Sequence, residues 1–418
     1  MKPNAILIRN ALLIDGVRKE PIEGVSVLIE NKKIKEIGKS IIPPEGSEII
    51  EAEGKTVMPG MIDCHVHLVV DGEPNYLDLV MNEPFSMGAM GAIKAVKNVE
   101  RYLPAGFTAI RDAGSPENIG VSIRNAINAG RIEGPRVLAS GRALSITGGH
   151  CDFFPPWVFG EAIRKQLTGE IVDGSEDIRK VVRRQLVDGV DSIKFCATGG
   201  TMDPVSTPEV QEFSDEEMET IIEEANRLSK RTLAHAQGAK GIKAAIRAGV
   251  GSIDHGFILD DECIKLMKEM GTFLVPTLSA LYWEVKKGVE SGIPEVTVKK
   301  SERLIDLNIQ SFKKAVNGGV KVAMGTDAGS PFNKHGDNAF ELELMVKNGM
   351  TEMDAIIAST RNASENLGIS DKTGTIEEGK LADIIIINGN PLQDICLLQN
   401  KEKIETVIKE GAIMVKKS

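Results

Sequence analysis

Six side chains, remote from one another in the chain, carry the chemistry available to this sequence: His65, His67, Lys194, His235, His255 and Asp327. The chain has only six histidines in 418 residues, yet two of them stand one residue apart in "MIDCHVHL". On a strand, residues two apart face the same side at about 6.6 Å along the axis, so His65 and His67 can grip one cation. Cys64 and Val66 then face the opposite way, which removes Cys64 from the ligand set. In "VDSIKFC" the same alternation sends Ile193 and Phe195 outward and turns Lys194 inward. Applied to "TLAHAQ" and "SIDHG", it aligns His235 and His255 with the interior. Taken singly, such a histidine is usually a satisfied hydrogen-bonding group, an inward lysine meets a carboxylate, and the aspartate of "GTDAG" caps a turn. Six such residues at strand ends are not independent accidents, and together they point to a bound metal.

Those ends belong to a repeating pattern. "MIDCHVHL", "FTAIRDAG", "RVLASG", "VDSIKFCATGG", "RTLAHAQ", "GSIDHG", "GTFLVPTL" and "VKVAMGTDAG" read as eight short strands, each followed by helix or long loop. Helical segments such as "SEDIRKVVRRQLVDG" and "SDEEMETIIEEANRLSK" lie between them, the second opened by Ser214 and Glu217 at capping-box spacing. Eight such units across residues 58–377 predict an α/β fold, a (β/α)8 TIM barrel, whose chemistry gathers at the C-terminal strand ends. No GxGxxG follows the first strand, which disfavours a doubly wound sheet. Residues 1–57 and 378–418 read instead as short strands with Gly-bearing turns. Neither end is long enough for its own core, so the two are expected to join in one small β-sandwich.

Composition narrows the function classes. With 50 basic and 60 acidic residues the net charge is −10, and no basic run offers a face for nucleic acid. No apolar window approaches the roughly 18 residues of a membrane helix. "MKPNAILIRN" lacks the pattern of a signal peptide. The five cysteines are scattered and without CxxC spacing, as expected of packing residues in a reduced, cytoplasmic protein. A small-molecule substrate is expected, with self-association into a homo-oligomer and no nucleic acid or membrane partner.

"PGMIDCHVH", "SIKFCATGG", "LAHAQ", "SIDHG" and "GTDAG", closed by "GTIEEGKLADIIII", resemble the amidohydrolase superfamily. More narrowly, they resemble its imidazolonepropionase-related and dipeptidase (prolidase)-like branch. The resemblance spans nearly the whole chain. It implies a distorted barrel with a terminal β-sandwich and two divalent metal ions, commonly zinc. His65, His67 and Asp327 would bind the first and His235 and His255 the second. Lys194, carboxylated on Nζ by CO2, would bridge them, since an unmodified ammonium would be repelled by two dications. It further implies a metal-bridging hydroxide as nucleophile, with Asp327 as general base and then general acid.

The substrate side is read less directly. His150, in "SITGGHCDFF" after the third strand, is the candidate second electrophile, on the resemblance to members that keep a substrate-contacting histidine there. Thr198 and Gly199 of the "ATGG" loop, Gln237 and Tyr282 are candidate substrate contacts. Phe153, Phe154, Trp157 and Phe159 are candidates for an apolar wall, and Arg111 with Asp112 for an ion pair near the mouth. Dipeptidase-like relatives often carry a tyrosine two residues after the fifth-strand histidine. Gln237 stands there instead, which leaves lactams and other amides open beside dipeptides and N-acyl amino acids. Against a mononuclear deaminase, Lys194 is present and neither His235 nor His255 is followed by Glu at His-x-x-Glu spacing. Against an inactive structural barrel, every expected ligand position is filled.

Overall fold

The computed structural model describes residues 5–75, 87–152, 169–204 and 206–417. Five strands lead the chain: β1 (Ala5–Leu13), β2 (Ile22–Glu30), β3 (Lys33–Gly38), β4 (Glu48–Glu51) and β5 (Thr56–Pro59). The middle contributes β6 (Met61–Val66), β7 (Phe107–Asp112), β8 (Arg136–Ala139), β9 (Leu144–Ser145), β10 (Glu170–Ile171), β11 (Ser192–Cys196), β12 (Arg231–Ala236), β13 (Ser252–His255) and β14 (Phe273–Val275). Three strands end it: β15 (Ile384–Ile387), β16 (Ile404–Lys409) and β17 (Ala412–Lys416).

Both ends of the chain enter one sheet of eight strands, in the order β17-β16-β15-β5-β1-β2-β3 with β4 paired to β1. The run "IIII" of β15 shows how this sheet is anchored. Ile384 and Ile386 join Ile6, Ile8, Val27 and Ile408 in one core. Ile385 and Ile387 face the other way and join Met58, Ile404 and Val407 in the main core. A strand buried on both faces needs an uninterrupted apolar run, and this one has it.

The middle of the chain is mixed α/β and TIM-barrel-like. β6-β7-β8 form one parallel sheet and β10-β9-β11-β12-β13-β14 another. Helices fall between the strands, among them Asp215–Arg227, where the Ser214–Glu217 capping box is made in both directions. "VKVAMGTDAG" departs from expectation because it forms no regular ladder. It is held instead by single contacts on either side: Ala323 N to Leu274 O at 2.9 Å, Cys64 N to Met324 O at 2.9 Å, and Asp327 N to His65 O at 2.8 Å. Gly325 lets it pass this close, since an added Cβ would run into Val275 and the backbone of His65. The two-residue strands β9 and β10 have no counterpart in the sequence pattern, being too short for a period to show. Among the described residues no helix is long and apolar enough to cross a membrane. The five cysteines are free.

Candidate metal centre

Register explains which side chains meet. β11 and β12 pair Cys196 with His235, and β12 and β13 pair His235 with Asp254. Residues two apart share a face, so Lys194, Cys196, His235 and Asp254 all look inward. Alternation therefore selects Asp254, so His255 lines the cavity as expected but not by the expected alternation. His255 enters by a different route: its φ of 79° ends the strand in a left-handed kink that swings the ring back over the centre. Asp327 is likewise held at φ 62°. Two non-glycine residues in this region cost of order 1–3 kcal/mol each, a cost that packing around a functional site sustains.

The innermost group is compact. His65 Nε2 lies 3.3 Å from His67 Nε2, and Asp327 Oδ1 lies 3.4 Å and 3.2 Å from them respectively. Three atoms at such spacing match the roughly 3.3–3.4 Å separation of ligands around a tetrahedral ion bound at about 2.0–2.1 Å. Among the described residues, these three form the group able to hold a metal ion as it stands. The other histidines are close behind, with ring centroids 5.0 Å apart for His65–His255 and 4.6 Å for His235–His255. Lys194 is buried beside them, its Nζ 3.8 Å from Asp254 Oδ2.

Each ring has one nitrogen fixed by the protein, which sets the atom left for a ligand. His65 Nδ1 donates to Asp254 Oδ2 at 2.7 Å, and His67 Nδ1 to Gly114 O at 3.3 Å. His255 Nδ1 meets Thr277 Oγ1 at 2.9 Å, whereas His235 uses Nε2, donated to Gly199 O at 3.2 Å. Asp254, which no sequence motif singles out, also accepts from Ser252 Oγ and Arg111 Nη2. Asp63 is a second residue that sequence reasoning misses. It stands two before His65, hence on the same face, and it accepts from His65 N, Thr326 Oγ1 and Asn338 Nδ2, tying the Asp327 loop to β6.

The electrostatics favour an ionised Asp327, neutral His65 and His255, and a more basic His67. Burial, then the Lys194 charge, drives His65 well below the ordinary histidine value, and burial brings His255 down to about 4. Burial also pulls on His67, but its hydrogen bond to Asp327 outweighs that and the net shift is upward. Burial opposes ionisation of Asp327, yet the His67 hydrogen bond and the surrounding imidazoles hold it well below the usual carboxylate range.

A cavity of about 190 Å³ opens over this centre, lined by all six expected ligands together with His150 and Gln237. Residues 56–414 match the Amidohydrolase family. The chain belongs to that family. It is a hydrolase. It is 34% identical to an ochratoxinase of Aspergillus niger, over 97% of this chain and 86% of that protein. An imidazolonepropionase of Thermoplasma volcanium is 23% identical over 94% of this chain and 91% of its own length. Among solved structures, a Xaa-Pro dipeptidase with methionine bound in its active site superposes with a TM-score of 0.89 at 35% identity, covering 98% of this chain and all of that one.

Around the candidate metal centre of this amidohydrolase the other expected residues divide. His150 lines the cavity, stacks on His235 at 4.0 Å and donates from Nδ1 to Asp203 at 2.9 Å. Burial lowers its affinity for a proton, but the Asp203 bond prevails and its pKa is raised. Gly200 makes room for that ring, because an added Cβ would strike the imidazole. Gln237 lines the cavity, and its buried Oε1 has no hydrogen-bond partner among the described residues.

Thr198 and Gly199 are corrections. The Thr198 hydroxyl binds locally, to Gly199 O and Gln237 N, and Gly199 orients His235; Thr201 and Met202 line the cavity in their place. Tyr282 is a correction as well. The helix Leu278–Lys287 turns Ala280, Leu281 and Glu284 to the cavity, while Tyr282 packs on Trp283 and Phe340 nearly half a turn away. Arg111 and Asp112 do not pair with each other: neighbours on β7 face opposite ways, so Arg111 reaches Asp254 while Asp112 accepts from Ser115. Phe153, Phe154, Trp157 and Phe159 lie outside the described residues.

Proposed function

We propose that this amidohydrolase cleaves an amide bond in a small, peptide-like substrate, a dipeptide or an N-acyl amino acid first. The observation that carries the reading is the His65–His67–Asp327 triangle, set at the base of a cavity whose walls include Val69, Val70, Pro116, Phe257 and Leu281. An apolar cleft with a few converging polar groups suits a compact acyl or side-chain moiety. The likeness to a dipeptidase structure and to an ochratoxinase supports the same class. The reading includes a closed (β/α)8 barrel over residues 58–377, with 321–328 as its eighth strand, and a β-sandwich from 1–57 and 378–418.

His65, His67 and Asp327 would hold one divalent cation; His235, through Nδ1, and His255, through Nε2, would hold a second. Lys194, once its Nζ carries a CO2-derived carboxylate, would offer the cations two acceptor oxygens in place of a repelled ammonium. Zinc suits this donor set of imidazoles and carboxylates. When bound, such a pair supplies Lewis acidity to the carbonyl and lowers the pKa of water. Asp327 takes the proton of the attacking water at Oδ2 and returns it to the leaving nitrogen. His150, oriented by Asp203, hydrogen-bonds the substrate carbonyl as charge develops there. Gln237 Oε1 accepts from a substrate N–H or O–H, a contact that a free carboxylate does not provide at that atom. This last feature favours a second reading, a cyclic amide, which the likeness to an imidazolonepropionase also supports.

Lys194→Ala tests the metal arrangement. The variant is expected to lose one metal equivalent, measured by elemental analysis, along with most of its turnover; unchanged metal content excludes the bridging role. A panel of dipeptides, N-acyl amino acids and lactams assayed against the metal-loaded enzyme separates the two readings.

A further inference from the structure

Two of the free cysteines meet at the wall of the cavity. Cys196 ends β11 on the same face as Lys194 and is 1% exposed. Cys151 follows His150 in a turn and is only partly buried. Their Sγ atoms lie 3.4 Å apart, and both residues line the cavity. The other three cysteines are placed differently: Cys64 Sγ faces Ala363 O, Cys263 Sγ faces Ala239 O, and Cys396 is exposed. Scattered positions in the sequence thus conceal one juxtaposed pair, 45 residues apart.

The pair is also unequal in a useful way. β11 is laddered to β12 on one side and touches β9 on the other, so Cys196 is fixed. Cys151 is held by two loop hydrogen bonds, its N to Ser145 Oγ at 3.2 Å and its O from Gly169 N at 3.1 Å. A disulfide needs an S–S distance of about 2.05 Å, so an approach of roughly 1.3 Å by the loop is sufficient.

We propose that Cys151 and Cys196 form a reversible disulfide when a small peroxide enters the cavity, and that the bridge lowers turnover by drawing the His150 loop against β11. The Cys151 sulfur attacks one oxygen of hydrogen peroxide and the O–O bond breaks. This gives the sulfenic acid, and the second oxygen leaves as water with the thiol proton. The Cys196 sulfur then attacks the Cys151 sulfur. The S–O bond breaks, and hydroxide departs with the Cys196 proton as a second water. Two thiols lose two electrons and two protons, and one peroxide becomes two waters. The more accessible partner meets the oxidant and the buried one resolves it. The consequence for turnover follows from His150, which is bonded to Cys151 in the chain and stacked on His235. A displacement near 1 Å at such a position costs on the order of 10²-fold.

The test uses the metal-loaded protein and hydrogen peroxide. Free thiols counted under denaturing conditions should fall by two of the five. A non-reducing peptide map should join Cys151 to Cys196, and turnover should drop at least about tenfold and return with dithiothreitol. In Cys196→Ser, Cys151 should advance to the sulfinic acid, which dithiothreitol does not reverse. In Cys151→Ser the peroxide sensitivity should disappear. Five intact thiols after treatment, a bridge between other cysteines, or bridged protein that turns over as fast as reduced protein overturns the proposal. Thiol count and peptide map need no substrate, so they read out whether or not the amide-hydrolase reading survives.

Discussion

His335 and His65 are both buried imidazoles fixed by short hydrogen bonds, yet only one retains a nitrogen for chemistry. His335 accepts from Tyr102 Oη at Nδ1 (2.6 Å) and donates from Nε2 to Val70 O (2.8 Å), so both nitrogens are committed to the protein. His65 gives Nδ1 to Asp254, while Nε2 points into the space shared with His67 and Asp327. Burial does not separate the two residues, for His335 is 2% exposed and His65 is 1% exposed. The number of ring nitrogens already in use does separate them. A ligand histidine is a half-satisfied one.

That contrast can be broken by substitution, beginning where the effect is greatest. Asp327→Asn removes the anionic corner of the triangle and the proton acceptor together, and turnover should fall on the order of 10³-fold. Steady-state rates on any accepted amide measure it, and a variant retaining a tenth of normal activity would remove Asp327 from the chemistry. Asp254→Asn should weaken metal binding about 10–100-fold by releasing His65 from its orientation, as read by chelator competition. His335→Gln is the matched control. It should leave metal affinity unchanged and lower stability to urea by about 1–3 kcal/mol, because a buried hydroxyl or carbonyl loses its partner. Equal weakening of metal binding by both variants would erase the distinction.

The last effect concerns pH. Burial brings His335 down to about 4, from an ordinary value of 6.5, so the folded protein refuses a proton that the unfolded chain accepts. The stability this gives is fully present above pH 6.5. It is lost as pH falls toward 4, by about 3 kcal/mol at roughly 1.4 kcal/mol per unit. Urea unfolding at pH 7 and pH 4.5 should show most of that loss in the wild type and a shallower one in His335→Gln.

Much of the candidate metal centre is legible in the sequence, because a strand's period of two and a metal's demand for donors constrain the same residues. Alternation alone places Lys194 and His235. It does not place Asp254 beside His255: a regular strand admits only one of two neighbours, and the kink at φ 79° that admits both is not written in residue type. The substrate contacts are the least legible part. Thr198 escapes because a hydroxyl beside an open backbone N–H binds locally. Tyr282 escapes because the facing of a helix depends on its neighbours, here Phe340. Residues 321–328, expected as the eighth strand, make isolated bridges to Leu274 and Val66 instead of a ladder.

The sequence by itself determined the donor types, their order along the strands, the α/β alternation and the strand style of both ends, since each rests on local periodicity or on the chemistry of a single side chain. Only the tertiary structure decided which atoms meet. It brought three candidate ligand atoms within 3.4 Å from residues 65, 67 and 327, and set two sulfurs 3.4 Å apart from residues 151 and 196. Such separations depend on strand register and loop path between segments remote in the chain, and no local pattern encodes them.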